Sequence, residues 1–203
     1  TMNYLLIRTY KKDDYIARLC YESWMLAGFK GEVIFLSDGY ETEWLKGLGR
    51  TIIRQPVANF GGQLGAKCLI DCINQIEYQD DDTLISCDTD VIIFRNPLPE
   101  LLADFAGLGT RNEHGFVHIG GQCMIIKGWL AKKICEISSG RFSDNWNEMD
   151  KKGINICDDT YFSYQARTKA IQTFQNYWLH KKLYNLEPRT DWKTIIDDLR
   201  TIQ

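Results

Sequence analysis

The stretch Asp82–Phe94, Asp-Thr-Leu-Ile-Ser-Cys-Asp-Thr-Asp-Val-Ile-Ile-Phe, limits what this chain can fold into more than any other. An apolar run of strand type (Leu84, Ile85) leads into Cys87-Asp88-Thr89-Asp90, and apolar residues resume at Val91. Near-continuous apolar runs bounded by turn residues belong to strands covered on both faces. Two carboxylates inside such a run are costly as bare charges, so something positive must meet them, and a hydrated divalent cation is the usual answer. Asp80-Asp81-Asp82 carries the same Asp-x-Asp spelling without a strand before it. The position at a strand end, not the spelling, is therefore the informative part.

The rest of the chain supplies a frame for that strand. Tyr4–Tyr10 reads as a first strand, and Asp13 or Asp14 caps a helix with Ile16, Leu19 and Cys20 on one side. Glu32–Gly39 is a second strand, a short helix is expected over Glu41–Gly47, and Thr51–Pro56 is a third strand. Asn59–Gln63 opens a helix with Leu69, Cys72 and Ile73 inward, ahead of the Asp-Thr-Asp strand. Strands alternating with helices imply an α/β chain with a mostly parallel central sheet, Rossmann-like, with helices on both faces. Further on, Gly120–Lys127 reads as a strand and Trp129–Ser138 as an amphipathic helix. Arg141–Asn155 reads as a polar, mobile stretch. Asp158-Asp159 caps a helix to about Arg167, Ile171–Trp178 is extended, and Thr190-Asp191 caps a final helix. With 203 residues and no linker-like tract, one domain over 1–203 is expected.

Composition narrows the partners. The net charge of −3 offers no basic face for nucleic acid, and no apolar run reaches the length of a membrane span. Seven cysteines without a Cys-x-x-Cys pair read as reduced core thiols, which points to an intracellular, cytoplasmic compartment.

Ligands of open parallel sheets bind outside the carboxyl ends of the strands. Arg8-Thr9-Tyr10, Ser37-Asp38 and Asp88-Thr89-Asp90 all fall on that rim. Arg8 and Tyr10 are candidates to stack on a base, and Asp38 to accept from a base or ribose hydroxyl. Each is equally well an ordinary loop residue; the shared rim is what singles them out. Lys67 follows Gly61-Gly62, where the backbone can approach a ligand, and is either a phosphate contact or a surface lysine. Neither a Walker loop nor a Gly-x-Gly-x-x-Gly fingerprint is present. His114 and His118 are explained by hydrogen bonding in solvent or core, whereas His180, followed by Lys181-Lys182, fits a metal ligand beside diphosphate-neutralising cations. Asp158 and Asp159 are helix-capping residues or catalytic carboxylates, and the two readings are compatible, because a helix N-terminus keeps a carboxylate ionised. Trp129, Trp146 and Trp178 are sugar-stacking or core residues.

These residues resemble the GT-A fold glycosyltransferases. The strand ending in Asp88-Thr89-Asp90 and followed by the Phe94-Arg95-Asn96-Pro97 turn is similar to that family's metal-binding motif. Gly120-Gly121-Gln122-Cys123-Met124 resembles its element under the donor sugar, and Cys157–Phe162 its acidic motif at a helix start. His180 with Lys181-Lys182 is similar to the C-terminal His and Lys of the glycogenin-like, retaining branch, although the spacing is tighter. The Gly-Gly element lacks the branch's neighbouring Asn, so sugar specificity does not carry over. The compact size is also similar to small capsid-glycosylating transferase domains of large algal DNA viruses.

The resemblance implies transfer of a sugar, with retention, from a nucleoside diphosphate donor (a UDP-sugar) to a hydroxyl of a glycan or glycoprotein acceptor. It implies Mn²⁺ or Mg²⁺ on Asp88, Asp90 and His180, and Asp158 and Asp159 as catalytic residues. Donor contacts would come from Arg8, Thr9, Tyr10, Asp38, Lys67, Cys87, Asp88, Thr89, Gly120, Gly121, Lys181 and Lys182. Two rivals stay open: a haloacid dehalogenase-type phosphohydrolase with Asp88 as nucleophile, and a nucleotide-sugar binding module without turnover.

Overall fold

The structure is a computed structural model, and it describes residues 1–40, 42–56, 62–107, 115–154, 157–180, 183 and 186–201, with the main chain alone at 110–113. Lys181, Lys182, Gly61 and His114 therefore lie outside the described residues.

In chain order the elements are β1 (Asn3–Arg8), α1 (Asp14–Leu26), β2 (Glu32–Ser37), β3 (Arg50–Ile53), α2 (Gln63–Ile73), β4 (Thr83–Asp88) and β5 (Val91–Ile93). Then follow β6 (Phe105–Gly107), β7 (Thr110–Glu113), β8 (Phe116–Ile119), β9 (Cys123–Lys127), α3 (Gly128–Ser138), α4 (Phe142–Lys151), α5 (Asp158–Gln165), β10 (Ile171–Thr173), β11 (Trp178–His180) and α6 (Trp192–Arg200). Seven strands form one sheet in the order β10-β6-β9-β4-β1-β2-β3. Every neighbouring pair is parallel except those made by β9, which runs antiparallel to both β4 and β6.

Strand alternation decides what each side chain meets. Leu5, Ile7, Ile85 and Cys87 pack with Ala17, Cys20 and Trp24 of α1 on one face. Tyr4, Leu6 and Leu84 pack on the other with Leu69 and Ile73 of α2, Leu130 and Ile134 of α3, and Tyr161 and Phe162 of α5. Both faces are thus covered, which is why the strands read as unbroken apolar runs. A third cluster docks α6 (Ile195, Ile196, Leu199) on α1 through Tyr15, Ile16 and Leu19.

Two local expectations are corrected. Arg141–Asn155 is not an irregular stretch through its middle: Phe142–Lys151 is helical. Phe142 and Trp146 are partly buried against the core and Met149 fully, a spacing of four and three that outweighs the polar content. The residues after Glu41 form turns and no short helix, because Thr42 Oγ1 accepts from Trp44 N (3.2 Å) and donates to Asp14 (2.6 Å), holding the backbone in a local loop.

The Asp80–Asp82 run has a structural job. Asp82, 4% exposed, accepts from Met2 N (2.6 Å) and Gln79 N (2.8 Å), fastening the start of β1 to the start of β4. Burial alone would raise its pKa, but the two backbone N–H donors hold it below the usual carboxylate value. Asp82→Ala is expected to cost about 1–3 kcal/mol at neutral pH, measured by urea unfolding. Because the folded-state pKa is depressed, this contribution is complete above the unfolded value of roughly 3.9. It disappears as pH falls through the lower folded value, so the gap between native protein and variant closes on acidification.

Candidate active site

The site begins with a register. Arg8, the last residue of β1, stands directly beside Asp88, the last residue of β4. Both follow the even-numbered side chains that face α2 and α5, so their charges meet on that face. An Arg8 guanidinium nitrogen lies 2.8 Å from Asp88 Oδ1, and the same group donates to Asp158 and to the Gly121 carbonyl. At 2% exposure, Arg8 is walled in by β2 and β4 and is not placed to stack on a base; that expectation is corrected. Its role is to gather the end of β4, the turn before β9 and the N-terminus of α5 at one point. Its proton is held above the usual value: burial acts against the charge, and Asp88 and Asp158 outweigh it.

Asp88 is the last strand residue, and Thr89 and Asp90 form a turn that leads into β5. Strand β5 pairs antiparallel with β11, placing His180 opposite Val91. His180 Nε2 consequently lies 3.3 Å from Asp90 Oδ1 although 90 residues separate them in the chain. One ligand atom each from Asp88, Asp90 and His180 falls within 4.8 Å of the others. The hydrogen bond to Asp90 raises the His180 pKa, burial opposing it. Confinement pushes the Asp88 carboxyl up to about 7; Arg8 pulls the other way, while Asp158 and Asp90 add to the rise. Asp88 and Asp158 thus flank the Arg8 guanidinium, while Asp90 faces His180, so acidic groups gather at this edge. Two carboxylates and an imidazole are a donor set that suits Mn²⁺ or Mg²⁺.

The two acids opening α5 differ. Asp158 is buried; burial raises its pKa, Arg8 opposes this, and Asp159 adds to it. Asp159 is more open. Burial alone would raise its pKa, but donors on His118, Cys157 and the Gly121 amide hold it below the usual range. Its Oδ2 accepts from Gly121 N at 2.8 Å and lies 3.2 Å from His118 Nε2. The capping expectation is half met: Cys157 occupies the cap position, and Asp158 and Asp159 the first turn. A Cβ on Gly121 would come within 3.2 Å of the Asp159 Cβ, so any larger residue there obliges the Asp159 side chain to shift by a few tenths of an ångström.

The remaining expected residues divide into two groups. Thr9 is buried at the end of β1 and, with Ser37, Gly39, Tyr40 and Thr42, lines a cavity of about 550 Å³ that extends under β2 and β3. Asp38 lies on the same rim, and its Oδ1 is buried with no hydrogen-bond donor among the described residues. Tyr10 is half-buried, with the Arg54 guanidinium 4.8 Å from its ring centre. Thr89 is buried in the turn between Asp88 and Asp90, and Gly120 precedes Gly121 in the turn before β9. Cys87 points to the opposite face, its Sγ 3.8 Å from that of Cys20, so only its backbone can face a donor. Lys67 is also corrected: it pairs with Asp71 (2.8 Å) on the outer surface of α2, along a groove with α3 and α4. Trp178 is core, Trp129 donates to Asp104 (3.1 Å), and Trp146 stacks on Tyr161.

Arg54 was not anticipated. Buried at the end of β3, it donates to Leu36 O (3.1 Å), Gln55 O (3.0 Å) and Thr9 O (2.7 Å), tying three strand ends together. Its position at a strand's carboxyl end is the same signal that singled out Arg8.

No family model and no curated protein matches the sequence. Among solved structures, the galactosyltransferase LgtC in complex with donor and acceptor sugar analogues aligns with a TM-score of 0.56 and 15% identity, covering 98% of this chain and 83% of LgtC. Mouse xyloside xylosyltransferase 1 aligns with a TM-score of 0.53 and 14% identity, over 83% of this chain and 82% of that one. The glycosyltransferase GlyE of Streptococcus pneumoniae TIGR4 aligns at 0.55 and 13% identity, and the chain spans 46% of its length. Among the described residues no helix is long and apolar enough to cross a membrane. The seven-stranded sheet with its one reversed strand is the GT-A fold shared with these glycosyltransferases.

Proposed function

We propose that this chain is a metal-dependent glycosyltransferase that moves a sugar, with retention, from a nucleoside diphosphate sugar, a UDP-sugar, to a hydroxyl of a glycan or glycoprotein. One observation carries the reading: Asp88, Asp90 and His180, from two segments far apart in sequence, converge at the carboxyl edge of a GT-A sheet. Mn²⁺ or Mg²⁺ held there supplies Lewis-acid stabilisation of a leaving diphosphate.

The chain's own groups do the rest. Arg8 fixes the Asp88 carboxylate and Asp158 in one arrangement before any donor arrives, so little reorganisation is left for the reaction. Asp159, ionised and clamped to the Gly121 amide, accepts from hydroxyls of the donor sugar and orients its ring. Asp158 acts through Arg8 and not on the substrate, since burial and the ion pair remove it from contact. The cavity beside Thr9 and Ser37, with Asp38 on its rim, receives the nucleoside. In the transfer itself, the bond from the sugar's anomeric carbon to phosphate oxygen breaks, a bond to the acceptor oxygen forms on the same face, and the acceptor proton leaves with the diphosphate. Lys181 and Lys182 remain proposed diphosphate contacts.

The phosphohydrolase alternative needs Asp88 as nucleophile, and Arg8 engages only one of its oxygens, so a phosphoenzyme trapped on Asp88 would favour that rival. The test is a panel of UDP-, GDP- and CMP-sugars with and without Mn²⁺, followed by NMR of the product's anomeric proton. A retained configuration that depends on the cation is expected. Donor binding without transfer or hydrolysis would leave a binding module, and phosphate release from simple phosphomonoesters would favour the rival enzyme. In the same assay Gly121→Ala, which crowds Asp159, is expected to lower turnover by up to about 10²-fold with little change in thermal stability.

A further inference from the structure

A second group of ligand atoms adjoins the site just described and shares Asp159 with it. His118 comes from β8, and Cys157 and Asp159 from the start of α5. One donor atom from each lies within 4.8 Å of the other two. The His118 ring is 4% exposed, and its Nε2 is 3.2 Å from Asp159 Oδ2. The Cys157 thiol contacts the other Asp159 oxygen and lies 2.9 Å from Thr160 Oγ1, while that hydroxyl is 3.5 Å from His118 Nε2. A nitrogen, a sulfur and an oxygen from two packed elements therefore converge on one small volume.

From this convergence we infer that His118, Cys157 and Asp159 form a site for a soft divalent cation of the zinc type, separate from the Asp88, Asp90 and His180 cluster. Zinc bonds of roughly 2.0–2.3 Å in a tetrahedron put neighbouring ligand atoms about 3.3–3.6 Å apart, close to what His118 and Asp159 already show. Thiolate and imidazole select zinc-like ions, whereas the oxygen-rich cluster at the sheet edge suits manganese or magnesium. The chain thus offers two neighbouring cation sites of different softness. Binding requires the Cys157 thiol to lose its proton to solvent. A cation there fastens β8 to the start of α5 and leaves a fourth position for water, the pattern of three protein ligands and one open place.

The experiment uses the full chain, stripped of metal and kept reduced, titrated with Co²⁺ alone. Expected are a near-ultraviolet thiolate-to-cobalt charge-transfer band, its displacement by Zn²⁺, and a rise in melting temperature with Zn²⁺. Cys157→Ser, a near-isosteric change, should lose the band and the zinc-dependent rise. Asp90→Ala should keep both, since its ligand cluster contains no thiol. No band in the native chain, a band that persists in Cys157→Ser, or a band lost in Asp90→Ala would each overturn the assignment. The other six cysteines are buried, so a persisting band would locate the cobalt among them.

Discussion

Asp90→Ala is expected to lower the proposed cation-dependent sugar transfer about 10³-fold or more, with the protein still melting within a few degrees of the native chain. The size follows from what is removed. A divalent cation at a leaving diphosphate stabilises developing charge by several kcal/mol, and roughly 4 kcal/mol corresponds to that factor in rate. The stability side follows from exposure. Asp90 is 14% exposed but its partner His180 is 36% exposed and opens to solvent, so losing the pair is expected to cost about 1 kcal/mol. Removing Asp90 also relieves repulsion from Asp88. Nucleoside diphosphate release and manganese binding followed by electron paramagnetic resonance should fall together, with circular dichroism unchanged. Full transfer by the variant in excess chelator would remove the cation from the mechanism.

Arg8→Ala has the largest expected effect on stability, about 3–5 kcal/mol, because it strands Asp158 and part of Asp88 as buried carboxylates without a cation. The loss is read from urea unfolding at neutral pH. Arg8→Lys keeps the charge but lacks the planar fork that reaches Asp88, Asp158 and the Gly121 carbonyl together, so it should fall between the native protein and Arg8→Ala. Pairing Arg8→Met with Asp158→Leu removes both members of the most buried pair and should recover much of the stability without recovering transfer. An Arg8→Ala protein within 1 kcal/mol of native would mean that water reaches this cluster freely and that the burial argument is wrong.

Much of this arrangement was legible in the sequence, and what was missed has physical causes. The apolar runs and their polar ends identified the sheet and its functional rim, because strand burial leaves a composition signature that survives without coordinates. Arg8 was found by that rule and still misread. Whether a strand-end arginine faces a ligand or a neighbouring carboxylate depends on which strands flank it, and the neighbours of β1 are β2 and β4. The reversal of β9 was invisible, since strand direction leaves no local trace. Helix α4 was missed because its charged residues hid a sparse apolar spacing. His118 was read as a solvent or core histidine and Cys157 only as part of the helix-opening motif, because His118 meets Asp159 only through the packing of α5 on β8, a contact with no counterpart in linear spacing.

The pairing of β5 with β11 has a consequence for how the protein is made. Asp90 leaves the ribosome ninety residues ahead of His180, an interval of roughly 5–18 s at synthesis rates of about 5–20 residues per second. During that interval the acidic edge is incomplete, and Arg8, already synthesised, is the counter-charge within reach of Asp88. The guanidinium that joins Asp88 to Asp158 in the finished chain thus comes from a strand synthesised well before β11.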